Sequence, residues 1–214
     1  MAIEVNLAVR YAGIAAALLF AGAVIGFGAA LQGFEQAQHP VALLGARGFN
    51  NALAFNFMAF VVPGILAGVV ALALRLRLPA MAGWPLRIGA QLVFLAALAY
   101  IAMGLLPLDP QDLESKASRL HGTAWMLWSV ALVPGLLLSG AALLQVPGWG
   151  RFAAVSLVAG FGVLVAGFLL TSVMPAGIAQ RIAFGLWFAW LLLAAWPLGP
   201  RQEQRAAPAA DGLR

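Results

Sequence analysis

The chain has 214 residues, 64% of them hydrophobic and 9% charged, with a formal net charge of +5. A soluble domain carries roughly 25% charged residues, so no water-soluble fold of this length covers so much apolar surface, and the solvent must be lipid. The basic residues are scattered between hydrophobic runs, which excludes a nucleic-acid patch, and the lack of cysteine excludes disulfides, thiolate metal sites and cysteine nucleophiles.

Crossing the hydrocarbon as a helix takes about 20 apolar residues. Six runs qualify, at about 11–31, 51–74, 88–106, 122–144, 152–174 and 182–199. The first is too long for a cleaved signal peptide and is expected to be a retained span. These are continuous runs, not the short alternating strands of a barrel. Lipid cannot hydrogen-bond an open backbone, so the fold class is an all-α integral membrane protein with six transmembrane helices. Residues 1–200 are expected to form one domain and 201–214, polar and rich in alanine and proline, a flexible cytoplasmic tail. An even number of spans puts both termini on one side, with Arg10, Arg75, Arg77, Arg87, Arg151, Arg201, Arg205 and Arg214; the other side holds Arg47, Lys116, Arg119 and Arg181. Eight against four predicts cytoplasmic termini in the cell (inner) membrane and outward first, third and fifth loops.

In chain order, the first loop, "QGFEQAQHPVALLGARGFN", supplies Glu35, His39 and Arg47. Asn50 and Asn51 are expected to cap the second span. Asn56 lies inside that span and needs a partner within the bundle, because an unmatched amide in lipid costs on the order of a kcal/mol or more. The third loop, "PLDPQDLESKASRLH", gathers Asp109, Asp112, Glu114, Lys116 and Arg119 before His121, and the fifth ends in Gln180 and Arg181. Five of the tryptophans, Trp84, Trp125, Trp128, Trp149 and Trp196, fall near predicted span boundaries and are expected to form an aromatic belt.

A repeat runs through the even-numbered spans. Arg47 precedes Pro63 by sixteen residues, Arg119 precedes Pro134 by fifteen and Arg181 precedes Pro197 by sixteen, while "VVPGILAG" echoes "LVPGLLLSG". Three helical hairpins in pseudo-repeat would explain it; coincidence in a chain rich in Ala, Gly, Leu and Pro is the alternative. Under the repeat, Arg47, Arg119 and Arg181 form a ring at headgroup depth. The planar guanidinium fork suits a phosphate or carboxylate, or the ring is neutralised by Asp109, Asp112 and Glu114.

Asp109, His121 and His39 are residue types that hold zinc or form an acid/base pair. No histidine pair stands four apart and "HEXXH" is absent, so the spacing is not diagnostic and no metal is expected. No haem and no other cofactor is expected either. Ser115 and Ser118 lie near His121, without a "GXSXG" elbow.

The ordered set "HPVALLGARGFNNALAFN", "GLLPLDP", "LHGTAW", "PGW" and "GIAQRIAFGLW", from about residue 11 to 196, resembles the domain of unknown function 998 family of bacterial and archaeal membrane proteins. The resemblance implies six transmembrane helices. It maps a Gly-Pro-Asp turn before a helix-initial His onto Gly104, Pro107, Asp109 and His121, an Asn onto Asn50 or Asn51, and a Gln-Arg pair onto Gln180 and Arg181. It implies no assigned activity. His39 stands where tyrosine or serine is frequent before the proline, which weakens it as a site residue.

Three functions fit. The first is an outward cluster of Asp109, His121, Arg119, Arg181, Gln180, Asn50 and Asn51, with Arg47, engaging a lipid or other amphiphile without chemistry. The second is a membrane-embedded hydrolase or lipid-modifying enzyme using Asp109 and His121. The third is an accessory subunit whose loops dock a partner. Expected partners are membrane lipid and a second copy or another membrane protein, with no nucleic acid.

Overall fold

A computed structural model describes residues 2–78 and 83–196, with side chains from residue 7 onward. Six helices follow one another: α1 (Ala2–Ala30), α2 (Ala52–Arg77), α3 (Trp84–Leu105), α4 (Lys116–Leu143), α5 (Gly150–Ser172) and α6 (Ala176–Ala194). All six are long and apolar enough to cross a membrane, and the described residues contain no strand. Large apolar side chains such as Leu18, Leu72 and Phe161 stand exposed on the flanks. In lipid that is the ordinary solvent face of a helix. Pro197, the expected tail at 201–214 and its Arg201, Arg205 and Arg214 lie outside the described residues.

All the helices but α2 begin earlier than their apolar runs, and for α4 and α6 the difference moves candidate site residues onto the helix. α4 starts at Lys116, because the Ser115 hydroxyl accepts the Ser118 N–H (3.2 Å) and caps it. His121 is therefore in the second turn of α4 rather than at its start. α6 starts at Ala176, straight after Pro175, so Gln180 and Arg181 lie on the helix and not in the fifth loop.

The core is aromatic. Phe184 of α6 packs on Phe20 of α1 (5.4 Å between ring centroids), Phe60 of α2 (6.2 Å), Tyr100 of α3 (5.6 Å) and Trp128 of α4 (5.2 Å). This corrects the belt expectation. Trp84 and Trp196 are exposed, but Trp128 and Trp149 are buried within the protein. Edge-to-face rings gain from packing on one another beyond the area they cover, and a position near a helix end does not decide which way the ring faces.

Small residues set the helix spacing. The glycines of the two echoing Pro-Gly motifs both face α3. A Cβ at Gly64 would lie 3.1 Å from the Ile101 nitrogen, and one at Gly135 would lie 3.1 Å from the Val93 nitrogen. The echo between the second and fourth spans therefore has a packing basis, close approach to the same helix. The prolines behave differently. Residues Phe57–Val61, just before Pro63, wind as a π-turn, whereas Pro134 sits inside α4 without one. Pro63 has no N–H to give the turn before it, and the Tyr100 hydroxyl of α3 donates to the Ala59 carbonyl there (3.2 Å). A second π-turn, Val165–Leu169, lies near the end of α5.

Tyr100→Phe strips that donor from a buried carbonyl. The expected loss is about 1 kcal/mol, read as a lower thermal unfolding midpoint in detergent; an unchanged midpoint would show that the π-turn needs no outside donor.

Candidate functional site

The first loop, the third loop and the start of α6 meet at one end of the bundle. The Arg47 N–H donates to the Leu108 carbonyl (2.9 Å), joining the first loop to the third. The Ile178 N–H donates to the Ala37 carbonyl (3.1 Å), and the Gln180 side-chain oxygen accepts the Val41 N–H (3.1 Å). Within the first loop a short 3-10 helix, Val41–Gly45, buries Val41 and Leu44.

Arg181 fastens this loop. Its guanidinium donates to the Gln36 side-chain oxygen (2.6 and 3.1 Å), the His39 carbonyl (2.9 Å) and the Gly177 carbonyl (2.9 Å), and it lies 5.8 Å from the Phe34 ring centroid. Gln36 in turn donates to the Val24 carbonyl of α1 (2.9 Å). Gly177 admits the loop, since a Cβ there would sit 2.7 Å from the His39 carbonyl oxygen. Gln180 and Arg181 thus hold the first loop onto α6, and through Gln36 onto α1. Arginine fits the task because its fork satisfies several acceptors at once.

The third loop closes on itself. Ser118 Oγ accepts the Asp109 N–H (3.0 Å) and lies 2.9 Å from the carbonyl oxygens of Asp109 and Asp112. The Asp109 carboxylate accepts the Gln111 N–H (3.0 Å) and the Asp112 carboxylate the Glu114 N–H (2.9 Å), two Asx turns. His121 Nδ1 lies 2.9 Å from the Leu106 carbonyl. A carbonyl only accepts, so Nδ1 carries the proton. Asp109 and His121 therefore bracket one turn, yet no hydrogen bond joins their side chains, nor His121 to Ser115 or Ser118. His39 accepts the Glu35 N–H on Nδ1 (2.9 Å) in the first loop. Among the described residues no three of His, Asp and Glu are grouped to share a metal ion.

The three arginines have separate surroundings. Arg181 is engaged as above. Arg47 and Arg119 are exposed, and their guanidinium groups have no hydrogen bond or ion pair among the described residues. Asn50 is exposed. Asn51 stands at the N-cap of α2 but its side chain makes no capping bond. It adopts the left-handed conformation (φ 64°) while its carbonyl accepts the Phe55 N–H (2.9 Å). Asparagine serves here as a non-glycine residue that tolerates positive φ. Asn56 is buried and donates to the Gly45 carbonyl (2.8 Å), the partner its place in the span required. A Cβ on Gly45 would run into the Asn56 side chain, so this contact depends on glycine.

Beside that hydrogen bond, between the start of α2 and the end of α3, lies a cavity of about 240 Å³. Gly45, Arg47, Leu53, Asn56, Phe57 and Leu105 line it. Leu53, Phe57 and Leu105 are exposed on the apolar flank of the bundle. Of the lining residues, the sequence pointed only to Arg47 as a ligand-binding residue. The leucines and Phe57 are invisible among so many apolar residues; Gly104 and Pro107, which the family resemblance maps, also line the cavity, and Gly45 is a glycine of close approach that the sequence reading missed.

Six helices long and apolar enough to cross a membrane make this a multi-pass membrane protein. The family model described as "Protein of unknown function (DUF998)" matches residues 14–197, and the chain belongs to that family. No curated protein and no solved structure matches it.

Replacing Arg181 with Gln removes the charge-assisted bonds that hold the first loop. Amide exchange over residues 34–46 should accelerate by about tenfold, with α3 and α4 unchanged in the same hydrogen-exchange experiment. Unaltered protection of that loop would show that Gln180 and the backbone contacts suffice.

Proposed function

We propose that the protein binds a membrane lipid or lipid-like amphiphile in the cavity between α2 and α3. The carrying observation is the cavity's mixed lining: Leu53, Phe57 and Leu105 on the flank that faces hydrocarbon, and the Arg47 guanidinium, without a partner among the described residues, towards the loops. An amphiphile in a bilayer has the same order, with a polar head at the interface and an apolar chain below it. Binding rather than chemistry is supported by the third loop, where the Asp109 carboxylate and the Ser118 hydroxyl are engaged with backbone. In this reading the protein lies in the cell (inner) membrane with both termini cytoplasmic and the cavity in the outer leaflet. Arg10, Arg75, Arg77, Arg87 and Arg151, towards the opposite end, support that orientation.

A phospholipid carrying a diazirine near the top of its acyl chain tests the reading in nanodiscs. Labelling of Leu53, Phe57 and Leu105 should exceed by several-fold that of Leu169 on α5 and Val173 just after it, which are comparably exposed near the same end. Ala52→Phe, which fills the cavity, should bring it down to the α5 level. Uniform labelling around the bundle would reject the site.

A further inference from the structure

We infer that the occupant is an anionic phospholipid, held with its phosphate at Arg47 and the upper part of one acyl chain against Leu53, Phe57 and Leu105. The inference rests on the lipid-binding reading above and names the lipid class.

Charge comes first. Arg47 is the one charged residue lining the cavity, and no acidic residue lines it. Its guanidinium is always protonated and meets no counter-charge among the described residues. Lys116 and Arg119 are exposed but are not on the cavity wall, and Arg181 is bound to Gln36 and the first loop. The cavity wall thus carries one positive charge, at its loop end, with no ion-pair partner among the described residues.

Position comes second. The backbone at Arg47 is fixed by its N–H bond to Leu108 (2.9 Å) and followed by Gly48 at φ 83°. The side chain is free while its root is held, so an anion arriving there meets a cation already in place. Below it, Asn56 is tied to Gly45 and contributes no charge.

Size and access come third. A cavity of about 240 Å³ is smaller than the ~300–1,000 Å³ that encloses a whole drug-sized ligand. It takes a segment of a molecule whose remainder lies elsewhere. A lipid fits, because the rest of its chains stay in the bilayer beside the exposed flank of Leu53 and Phe57. Free phosphate would gain a single surface arginine in competition with water, whereas a lipid already held in the membrane presents its phosphate at that depth.

The test repeats the photolabelling with matched phosphatidylglycerol and phosphatidylcholine probes, in nanodiscs of the same bulk lipid. Wild type should label Leu53, Phe57 and Leu105 about fivefold more with phosphatidylglycerol, the preference one arginine near the surface provides. Arg47→Gln should remove that preference, Arg47→Lys should keep most of it, and Lys116→Gln should leave it intact. Because Arg47 holds its loop through the backbone, these variants keep the fold, which the α5 labelling at Leu169 checks independently. Equal labelling by the two probes, or a preference that survives Arg47→Gln, overturns the anionic assignment and leaves lipid binding standing. Loss of the preference on adding millimolar inorganic phosphate shows a site for the free anion and overturns the lipid assignment. No groove labelling above the α5 level with either probe overturns both readings.

Discussion

In hydrocarbon no water is present to bond a free backbone group, so each departure from regular helix must be answered by another part of the protein. The structure is organised around those answers. Pro63 removes an amide from α2, the helix winds through a π-turn over Phe57–Val61, and Tyr100 crosses from α3 to bond Ala59. Asn56, one residue before that turn, bonds the Gly45 carbonyl of the first loop. The irregular part of α2 is thereby tied to α3 on one side and to the first loop on the other. The cavity lies where those ties meet.

The first loop depends on the same constraint. It is the longest connection between two spans among the described residues, and its short helix buries Val41 and Leu44. Its exposed carbonyls and amides are taken up by side chains from α6: Arg181 at His39 and Gln180 at Val41. Arg181 pairs with neutral groups, the Gln36 amide and two carbonyls, rather than with a carboxylate. A cation that bonds dipoles in place of a counter-ion keeps its charge, so Arg181, with Arg47, Lys116 and Arg119, still balances Glu35, Asp109, Asp112 and Glu114 at the loop end of the bundle.

The fold was legible in the sequence because lipid forces one solution. Apolar runs of spanning length have to be helices, and their number sets which loops share an end. Helix starts were less legible, since α4 and α6 begin in polar residues that apolar length does not detect: Ser115 caps the one and Pro175 precedes the other. Of the site, residue types were readable but not their partners. Gln180, Arg181, Asp109 and His121 all look like ligand-binding or catalytic groups in a chain with 9% charge. In the structure their bonds go to loop backbone and Gln36. Scarcity of polar residues makes each one conspicuous, and the same scarcity means that the protein's own loops have first claim on them. The cavity wall was unreadable for the opposite reason, because Leu53, Phe57 and Leu105 do not differ from dozens of lipid-facing neighbours.

The spacing that suggested three equivalent arginines therefore resolves into different duties. Arg181 sits on a helix whose neighbour in space is the first loop, and it is drawn inward by Gln36 and two carbonyls. Arg119 lies on the exposed face of α4. Arg47 borders the cavity between α2 and α3, its backbone bound across to Leu108 and its side chain without a partner among the described residues. The difference is one of acceptors rather than of charge or sequence position. Where the loop offers carbonyls, the guanidinium is structural; where the loop has already used them in its own turns, the guanidinium is left for a molecule from outside. The Asx turns of Asp109 and Asp112 direct both carboxylates to backbone amides of their own loop, and neither forms an ion pair with Arg47.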